Sequence, residues 1–370
     1  MLKRILQVNI NNEGGAFSLV YQVQKKIPKE KYIFDYFTMG EFNHNSIYDD
    51  LLKHGSCIYE GRLRDNRLIG HLFLPVRFYR VVSDNKYSII HIHSDSAWKA
   101  LMYALPAHKA GVKRVIIHSH STGINGKMQL LKRFLHEITK HSLKRYGSSF
   151  VACSSEAARW MYGKNIDDVK IIKNGVDLTR FRSDKSVRNS IRNSLRYNPE
   201  DIVIGTIGDF SETKNPELLV DIYETILKIN KNSKLLFVGD GNNKNSVIEL
   251  VHKKKLQSSV KFTGKIVNVQ EVLNAMDAFV LPSIFEGLPV SAVEAQATGV
   301  PTFLSPNITR EAGIEGLSWF NQDYWNVDQW ADLIMNNIFK TDHLNATEMV
   351  KRAGFDIVDT ADSFEKLYGE

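Results

Sequence analysis

Cysteine is nearly missing from this chain: Cys57 and Cys153 are the two in 370 residues. That excludes a disulfide framework and fits a reducing compartment, so a cytoplasmic protein is expected. There is no run of about 18 apolar residues, and the start, MLKRILQVNINNEGG, lacks the apolar stretch of a signal peptide; a membrane-spanning chain is not expected. Repeats and low-complexity tracts are also absent. What is there is 43% hydrophobic and 10% aromatic, enough to exclude a disordered chain and to fill full cores. At roughly 150 residues per domain, the length predicts two or three domains.

Net charge is +7, but it is unevenly spread. Residues 1–180 carry 28 Lys and Arg against 15 Asp and Glu, whereas residues 181–370 carry 20 against 26. The first half therefore faces something anionic, such as nucleic acid, a phosphate ligand or a lipid surface, or it is a solvated basic face with no partner. No nucleic-acid recognition motif or aromatic platform accompanies the charge, so no nucleic-acid partner is expected.

Short apolar runs alternate with helix-period segments throughout. Strands are expected over 4–8, 32–37, 88–93, 114–119, 149–152 and 169–172, then over 202–207, 234–238, 260–263, 278–281 and 301–304. Helices are expected between them, among others over 16–26, 96–110, 128–146 and 185–196. The alternation predicts α/β architecture: two doubly wound parallel-sheet domains facing across a cleft. The seam lies in 174–184, dividing an N-terminal domain, 1–178, from a C-terminal one, 179–356. In such sheets ligands bind beyond the carboxyl ends of the strands.

Several strand ends carry candidate chemistry. After the first strand come Asn11-Asn12-Glu13-Gly14-Gly15, a glycine pair at a helix start that suits close approach of an anion or is a plain turn. Neither this loop nor Gly239-Asp240-Gly241 completes the G-x-G-x-x-G fingerprint of nicotinamide enzymes. His91-Ile92-His93 and His118-Ser119-His120 each place two histidines on one strand face. They are polar residues at the wet end of a sheet or, without any acidic or cysteine partner pattern, a metal site. The basic amphipathic stretch 127–146 aligns Met128, Leu131, Leu135, Ile138 and Ser142, either as the core side of a packed helix or as a face for an anionic membrane. Lys214 stands just ahead of Asn215-Pro216, an N-cap and first helical residue, where lysine and backbone amides favour phosphate, or it is a plain solvated lysine. In LPSIFEGLPVSAVEAQA, Glu286 sits at a strand mouth and Glu294 on a helix opened by Pro289, about 9 Å apart at ~1.5 Å per residue. A diphosphate on that helix N-terminus, held by the amides of Gly287 and Leu288, would span the gap; otherwise the two are ordinary surface glutamates.

These residues resemble the family-four retaining glycosyltransferases, in which Glu286 and Glu294 match a Glu-x₇-Glu motif. The resemblance runs along nearly the whole chain, through Gly14-Gly15, His118-Ser119-His120, FVACSS at 150–155, Asn174-Gly175-Val176-Asp177, Lys214-Asn215, Val238-Gly239-Asp240-Gly241 and FVLPSIFEGLP. It is nearest the bacterial branch that assembles capsule and exopolysaccharide repeat units. It implies two Rossmann-like domains (the GT-B fold), with a C-terminal tail, 357–370, packing back on the first. It also implies transfer of a hexosyl group from a nucleotide sugar, UDP-linked, to a lipid-linked saccharide acceptor on the inner face of the plasma membrane, with no further cofactor; since no Asp-x-Asp pair lies at a strand end, the chemistry is expected to need no metal. Glu286, Lys214 and His120 would be the catalytic set, Glu286 on the donor sugar, Lys214 on the leaving phosphate and His120 near sugar and acceptor. Glu294 would hold the ribose, Gly287 and Leu288 the diphosphate, Lys265 and Ile266 the base, and Gly14 and Gly15 would close over the phosphates.

One residue departs from the family. Relatives carry an arginine where Asp209 follows Gly208, and a carboxylate about 4 Å from a phosphate is repelled by about 4 kcal/mol at an effective dielectric near 20. Asp209 is therefore expected to turn aside, towards a lysine or the start of the Pro216 helix. Two alternatives stay open: a nucleotide-sugar epimerase or phosphorylase on the same fold, or a non-catalytic partner subunit.

Overall fold

Strand pairing is parallel throughout the described residues, and it builds two sheets. A computed structural model describes residues 2–10, 14–42, 46–61, 67–124, 128–341 and 343–370, with the side chains of 67–72 left aside. The chain divides into two compact units, residues 1–175 with 357–370, and residues 176–356.

The first unit holds seven strands: β1 (Lys3–Val8), β2 (Tyr32–Thr38), β3 (Ile58–Glu60), β4 (Ile89–Ser94), β5 (Arg114–Ser119), β6 (Ser149–Ala152) and β7 (Val169–Ile171). They lie in the order β3-β2-β1-β4-β5-β6-β7. Alternation along β1 sends Ile5 into one apolar cluster with Phe17, Phe34 and Tyr36, and Leu6 into another with Phe37, Phe78 and Tyr103. Both faces of the sheet are thus covered. The last helix, Ile357–Gly369, belongs to this unit and buries Phe364, Leu367 and Tyr368 in the first cluster.

The second unit holds β8 (Ile202–Ile207), β9 (Ser233–Val238), β10 (Val260–Phe262), β11 (Ala278–Leu281), β12 (Thr302–Leu304) and β13 (Ser318–Phe320), in the order β10-β9-β8-β11-β12-β13. Helix Pro216–Ile229 packs Leu219, Ile222 and Tyr223 against the β8 and β9 residues Ile204 and Phe237. Asp184 caps helix Lys185–Ser194, its side chain accepting from the amides of Ser186 and Val187.

The strands read from apolar runs are present, with ends shifted by a residue at most. Those without a run in the sequence, β3 and β13, are three-residue edge strands. Their pairing comes from the neighbouring strand rather than from apolar content.

The basic stretch 127–146 is not one helix. It forms helices Gln129–Lys140 and Leu143–Tyr146, and Lys127 lies outside the described residues. Nor is its aligned stripe a core face. Met128, Leu131 and Ile138 are exposed, and the residue buried from the first helix is His136. His136 is buried because both ring nitrogens are engaged, Nδ1 by the Ala97 amide at 3.0 Å and Nε2 at 2.9 Å from the Trp160 carbonyl oxygen, with the ring stacked on Trp160.

The last helix contributes core to the first unit, and Phe364 is fully buried. Phe364→Ala should lower stability by about 3–4 kcal/mol, measured by urea denaturation.

Candidate active site

In the second unit the loops at the carboxyl ends of the strands are tied to one another by backbone bonds. The Gly239 amide donates to the Gly264 carbonyl at 2.9 Å, joining the loop after β9 to the loop after β10. The Phe210 amide donates to the Asp240 carbonyl at 3.1 Å, and the Ile284 amide to the Thr213 carbonyl at 2.7 Å, so the β8 loop is tied on both sides. A Cβ on Gly239 would lie 1.8 Å from the Gly208 carbonyl oxygen, and φ there is +139°. Glycine is required at this position by the neighbouring backbone. Glu286 bridges to Ile308, which joins the β11 loop to the segment after β12.

Lys214 and Glu286 meet on this edge. The Lys214 ammonium is 2.7 Å from a Glu286 carboxylate oxygen, and both side chains are largely buried. Asn215, in the left-handed region at φ 47°, caps helix Pro216–Ile229 by accepting from the Leu218 amide. Its amide donates to the Tyr324 hydroxyl at 2.8 Å, which donates to the Pro282 carbonyl at 2.8 Å. Tyr324 therefore clamps the lysine loop to the glutamate loop, a role that nothing in its sequence surroundings signals.

Asp209 does not turn aside onto a partner. It is exposed, and among the described residues no cation pairs with it. The reason is that both expected partners are taken: Lys214 by Glu286, and the Pro216 helix start by the Asn215 side chain.

Gly287 and Leu288 are buried in the β11 loop, and helix Val290–Ala297 follows with Pro289 as its N-cap and no side chain capping its first turn. Glu286 thus lies ahead of the helix, and helical rise does not set its separation from Glu294. Glu294, on the helix, is desolvated strongly enough to raise its pKa to about 7, against the opposing pull of Arg180. Arg180 was missed in the sequence; the signal was its place three residues after Asn174-Gly175-Val176-Asp177. Lys265 is exposed and Ile266 half-buried in the loop that receives the Gly239 amide.

Gly14, Gly15 and His120 lie in the first unit. Residues 11–13 fall outside the described ones; Gly14, at φ +99°, is the N-cap of helix Gly15–Lys26. His120 follows β5, its amide on the Ser94 carbonyl, and its ring Nε2 lies 2.8 Å from His93 Nδ1. Behind it His91, His93 and His118 are buried together. Desolvation holds all three well below the usual histidine range, helped by the neighbouring rings, and holds His120 at about 4. One nitrogen from each of His91, His93 and His118 lies within 4.8 Å of the others, close enough to converge on an ion.

Comparison with known proteins matches residues 14–180 to the family described as Glycosyltransferase Family 4 and residues 187–335 to Glycosyl transferases group 1. EpsF of Bacillus subtilis (strain 168), a protein with a glycosyltransferase name, is 30% identical over 84% of this chain and 80% of its own. The UDP-Gal:alpha-D-GlcNAc-diphosphoundecaprenol alpha-1,3-galactosyltransferase of Escherichia coli is 25% identical over 65% of this chain and 64% of its own. The fold is shared with the crystal structure of Anabaena HepE in complex with UDP-glucose, at a TM-score of 0.78 and 16% identity over 99% of each chain.

The two units respond oppositely to acid. The four histidines stay neutral in the native chain but take protons in the unfolded one below about pH 6.5. Their contribution to stability is complete above that pH and is lost as pH falls towards 4. Glu294, with its pKa raised from 4.5 to about 7, holds a native proton, so stability falls as pH rises through that window. Hydrogen exchange, corrected for intrinsic rate, should show β4 and β5 losing protection from pH 7.5 to pH 5 while helix Val290–Ala297 gains it.

Proposed function

Since the chain belongs to glycosyltransferase family four, we propose that it moves a hexosyl group from a UDP-sugar to a lipid-linked saccharide acceptor, with retention of configuration and without a metal, in cell-surface polysaccharide synthesis. The observation that carries this reading is the Lys214–Glu286 pair at 2.7 Å beside the helix N-terminus of Val290–Ala297. The names of the relatives support donor and acceptor: HepE was crystallised with UDP-glucose, and the E. coli enzyme is named for a diphosphoundecaprenol acceptor.

In the transfer, the bond from the anomeric carbon to the leaving phosphate oxygen breaks, and an acceptor hydroxyl oxygen bonds to that carbon from the same face. Its proton passes to the leaving phosphate. Charge grows on the diphosphate as the bond breaks, and Lys214 together with the amides of Gly287 and Leu288 is assigned to stabilise it. Glu286 is assigned to the donor sugar, Glu294 to the ribose hydroxyls, and Lys265 and Ile266 to the base. In the first unit, Gly14 and Gly15 are assigned to the phosphates and His120 to sugar and acceptor hydroxyls. In the free protein Glu286 occupies Lys214, so an incoming diphosphate competes with a carboxylate for the ammonium.

That competition separates the variants. Lys214→Ala should lower kcat by about 10²–10³-fold, the range for losing one preorganised electrostatic group. Glu286→Gln should lower kcat comparably but bind UDP as tightly as wild type or tighter, because Lys214 is released. Full turnover in either variant would count against these assignments. Affinity for UDP-glucose, whose diphosphate diester does not titrate near neutrality, should rise as pH climbs through about 7, when Glu294 ionises to accept both ribose hydroxyls. Calorimetry on Glu294→Gln should give a weaker and flat profile. Proton NMR of the product's anomeric centre tests retention.

The first unit's surface supports an acceptor held at a membrane. Helix Gln129–Lys140 exposes Leu130 at 87% and Phe134 at 61%, together with Arg133; Lys144 and Arg145 follow, also exposed. Helix Ala97–Lys109 packs against this helix and against helix Arg67–Asn85, which exposes Phe73, Val76, Arg77 and Arg80. Apolar side chains flanked by cations suit an anionic lipid surface. No helix among the described residues is long and apolar enough to cross a membrane. Sedimentation with phosphatidylglycerol vesicles should pull the protein down at low salt, neutral vesicles should not, and Leu130→Asp with Phe134→Asp should abolish the effect.

A further inference from the structure

The buried histidines are joined to the end of the chain. Lys3 Nζ and Arg114 Nη1 both donate to the Tyr368 carbonyl at 3.2 Å, gripping the last turn of helix Ile357–Gly369. The Tyr368 ring is fully buried against Phe34 and Phe364, and its hydroxyl contacts Gln7 of β1 and His91 of β4.

From Tyr368 and Gln7 the protons can be counted outwards. The Gln7 amide nitrogen donates to the Tyr368 hydroxyl at 3.0 Å, which leaves its carbonyl oxygen facing His93 Nε2 at 2.9 Å. His93 must carry its proton on Nε2. A neutral imidazole has one N–H, so His93 Nδ1 is a lone pair, and the His120 Nε2 at 2.8 Å must donate to it. On the other side the Tyr368 hydroxyl, having accepted from Gln7, has its own proton for His91 Nδ1 at 2.8 Å. His91 is then protonated on Nε2, donates to His118 Nδ1 at 3.2 Å, and leaves the His118 proton on Nε2.

All four rings are therefore the same tautomer. Inverting the Gln7 amide reverses every bond and puts all four protons on Nδ1. Any mixed arrangement sets two lone pairs or two hydrogens face to face in a buried site, at about 1–3 kcal/mol for each group left unsatisfied. The two buried ring nitrogens without partners among the described residues, His118 Nε2 and His120 Nδ1, are the two ends of this one chain.

We propose that Gln7, His93 and Tyr368 are positioning residues that lock His120 as its Nε2–H tautomer, so that Nδ1, buried and proton-free in the unliganded protein, is the ring atom left to a substrate hydroxyl, as an acceptor and not as a proton donor. The proposal rests on the reading above that His120 meets sugar or acceptor. Burial supports it, since all four rings are neutral at pH 7 and none brings a second proton. An ion drawn in by His91, His93 and His118 is the rival occupant, and it would have to take the lone pairs that these bonds use.

The test is long-range ¹H–¹⁵N NMR of full-length, deuterated protein labelled at histidine, at pH 7.5. Wild type should show Nε2 protonated and Nδ1 bare in all four rings. Tyr368→Phe, which keeps the ring and touches neither His93 nor His120, should turn His120 into a tautomer mixture, and so should Gln7→Leu. Both variants should lower kcat about tenfold with little change in KM for the UDP-sugar. Finding Nδ1–H on His120 in wild type, or His120 unmoved in both variants, would overturn the lock. So would a stoichiometric transition metal in the isolated protein whose removal shifts His91, His93 and His118. The expected tautomers with kcat unchanged in both variants would overturn the positioning role. The donor-site reading is tested separately, at Lys214 and Glu286.

Discussion

A parallel sheet covered on both faces leaves polar groups one place to collect, the carboxyl edge of its strands. Both units obey this constraint. In the second, the strands themselves are apolar and the charged and glycine-rich segments all follow them, at Gly208–Asn215, Gly239–Gly241, Gly264–Ile266 and Ser283–Leu288. The loops are bound to each other by backbone bonds, from Gly239 to Gly264, Phe210 to Asp240 and Ile284 to Thr213. A site assembled in this way takes its precision from the sheet beneath, although each of its pieces is a loop.

Electrostatics on that edge are arranged around Lys214. Its ammonium is held by Glu286, which neutralises a largely buried cation. The same pairing explains why Asp209 is left exposed and, among the described residues, without a cation. Glu294 is handled differently: desolvation raises its pKa to near neutrality, and Arg180 only partly offsets that shift. Two glutamates eight positions apart thus sit in different electrostatic states, one ion-paired and one with its pKa raised to near neutrality.

The first unit manages its polar interior without charge. Three buried histidines, the partly buried His120, a glutamine and a tyrosine gather at the same edge, and they are linked by hydrogen bonds rather than ion pairs. Neutral groups avoid the desolvation penalty of buried ions, but they depend on every proton being in the right place. The last helix supplies one link of that chain, so the integrity of the histidine cluster depends on residues more than 240 positions away from any of its rings.

The class of fold, the strands on which it is built, the Asn215-Pro216 helix start and the glutamates of the family motif were legible along the sequence, because each depends on local signals: apolar runs, capping chemistry and spacing. The period-two histidine pairs were visible too, as residues sharing a strand face. Hidden were the partners that make those residues work. Edge strands β3 and β13 had no apolar run because their neighbours supply the pairing. The stripe on 127–146 read as a core face or a membrane face with equal right, since periodicity gives a helix two sides without saying which is covered. Tyr324, Gln7 and Tyr368 carry no motif at all, and Arg180 is marked only by its place after Asn174-Gly175-Val176-Asp177. Their roles come from contacts across the fold, and a hydrogen bond or a desolvated carboxyl exists only where distant segments are brought within a few ångströms. Sequence alone determined which residues could do chemistry; the tertiary structure decided which of them are paired, which are neutral and which are left free, because those states are set by neighbours in space.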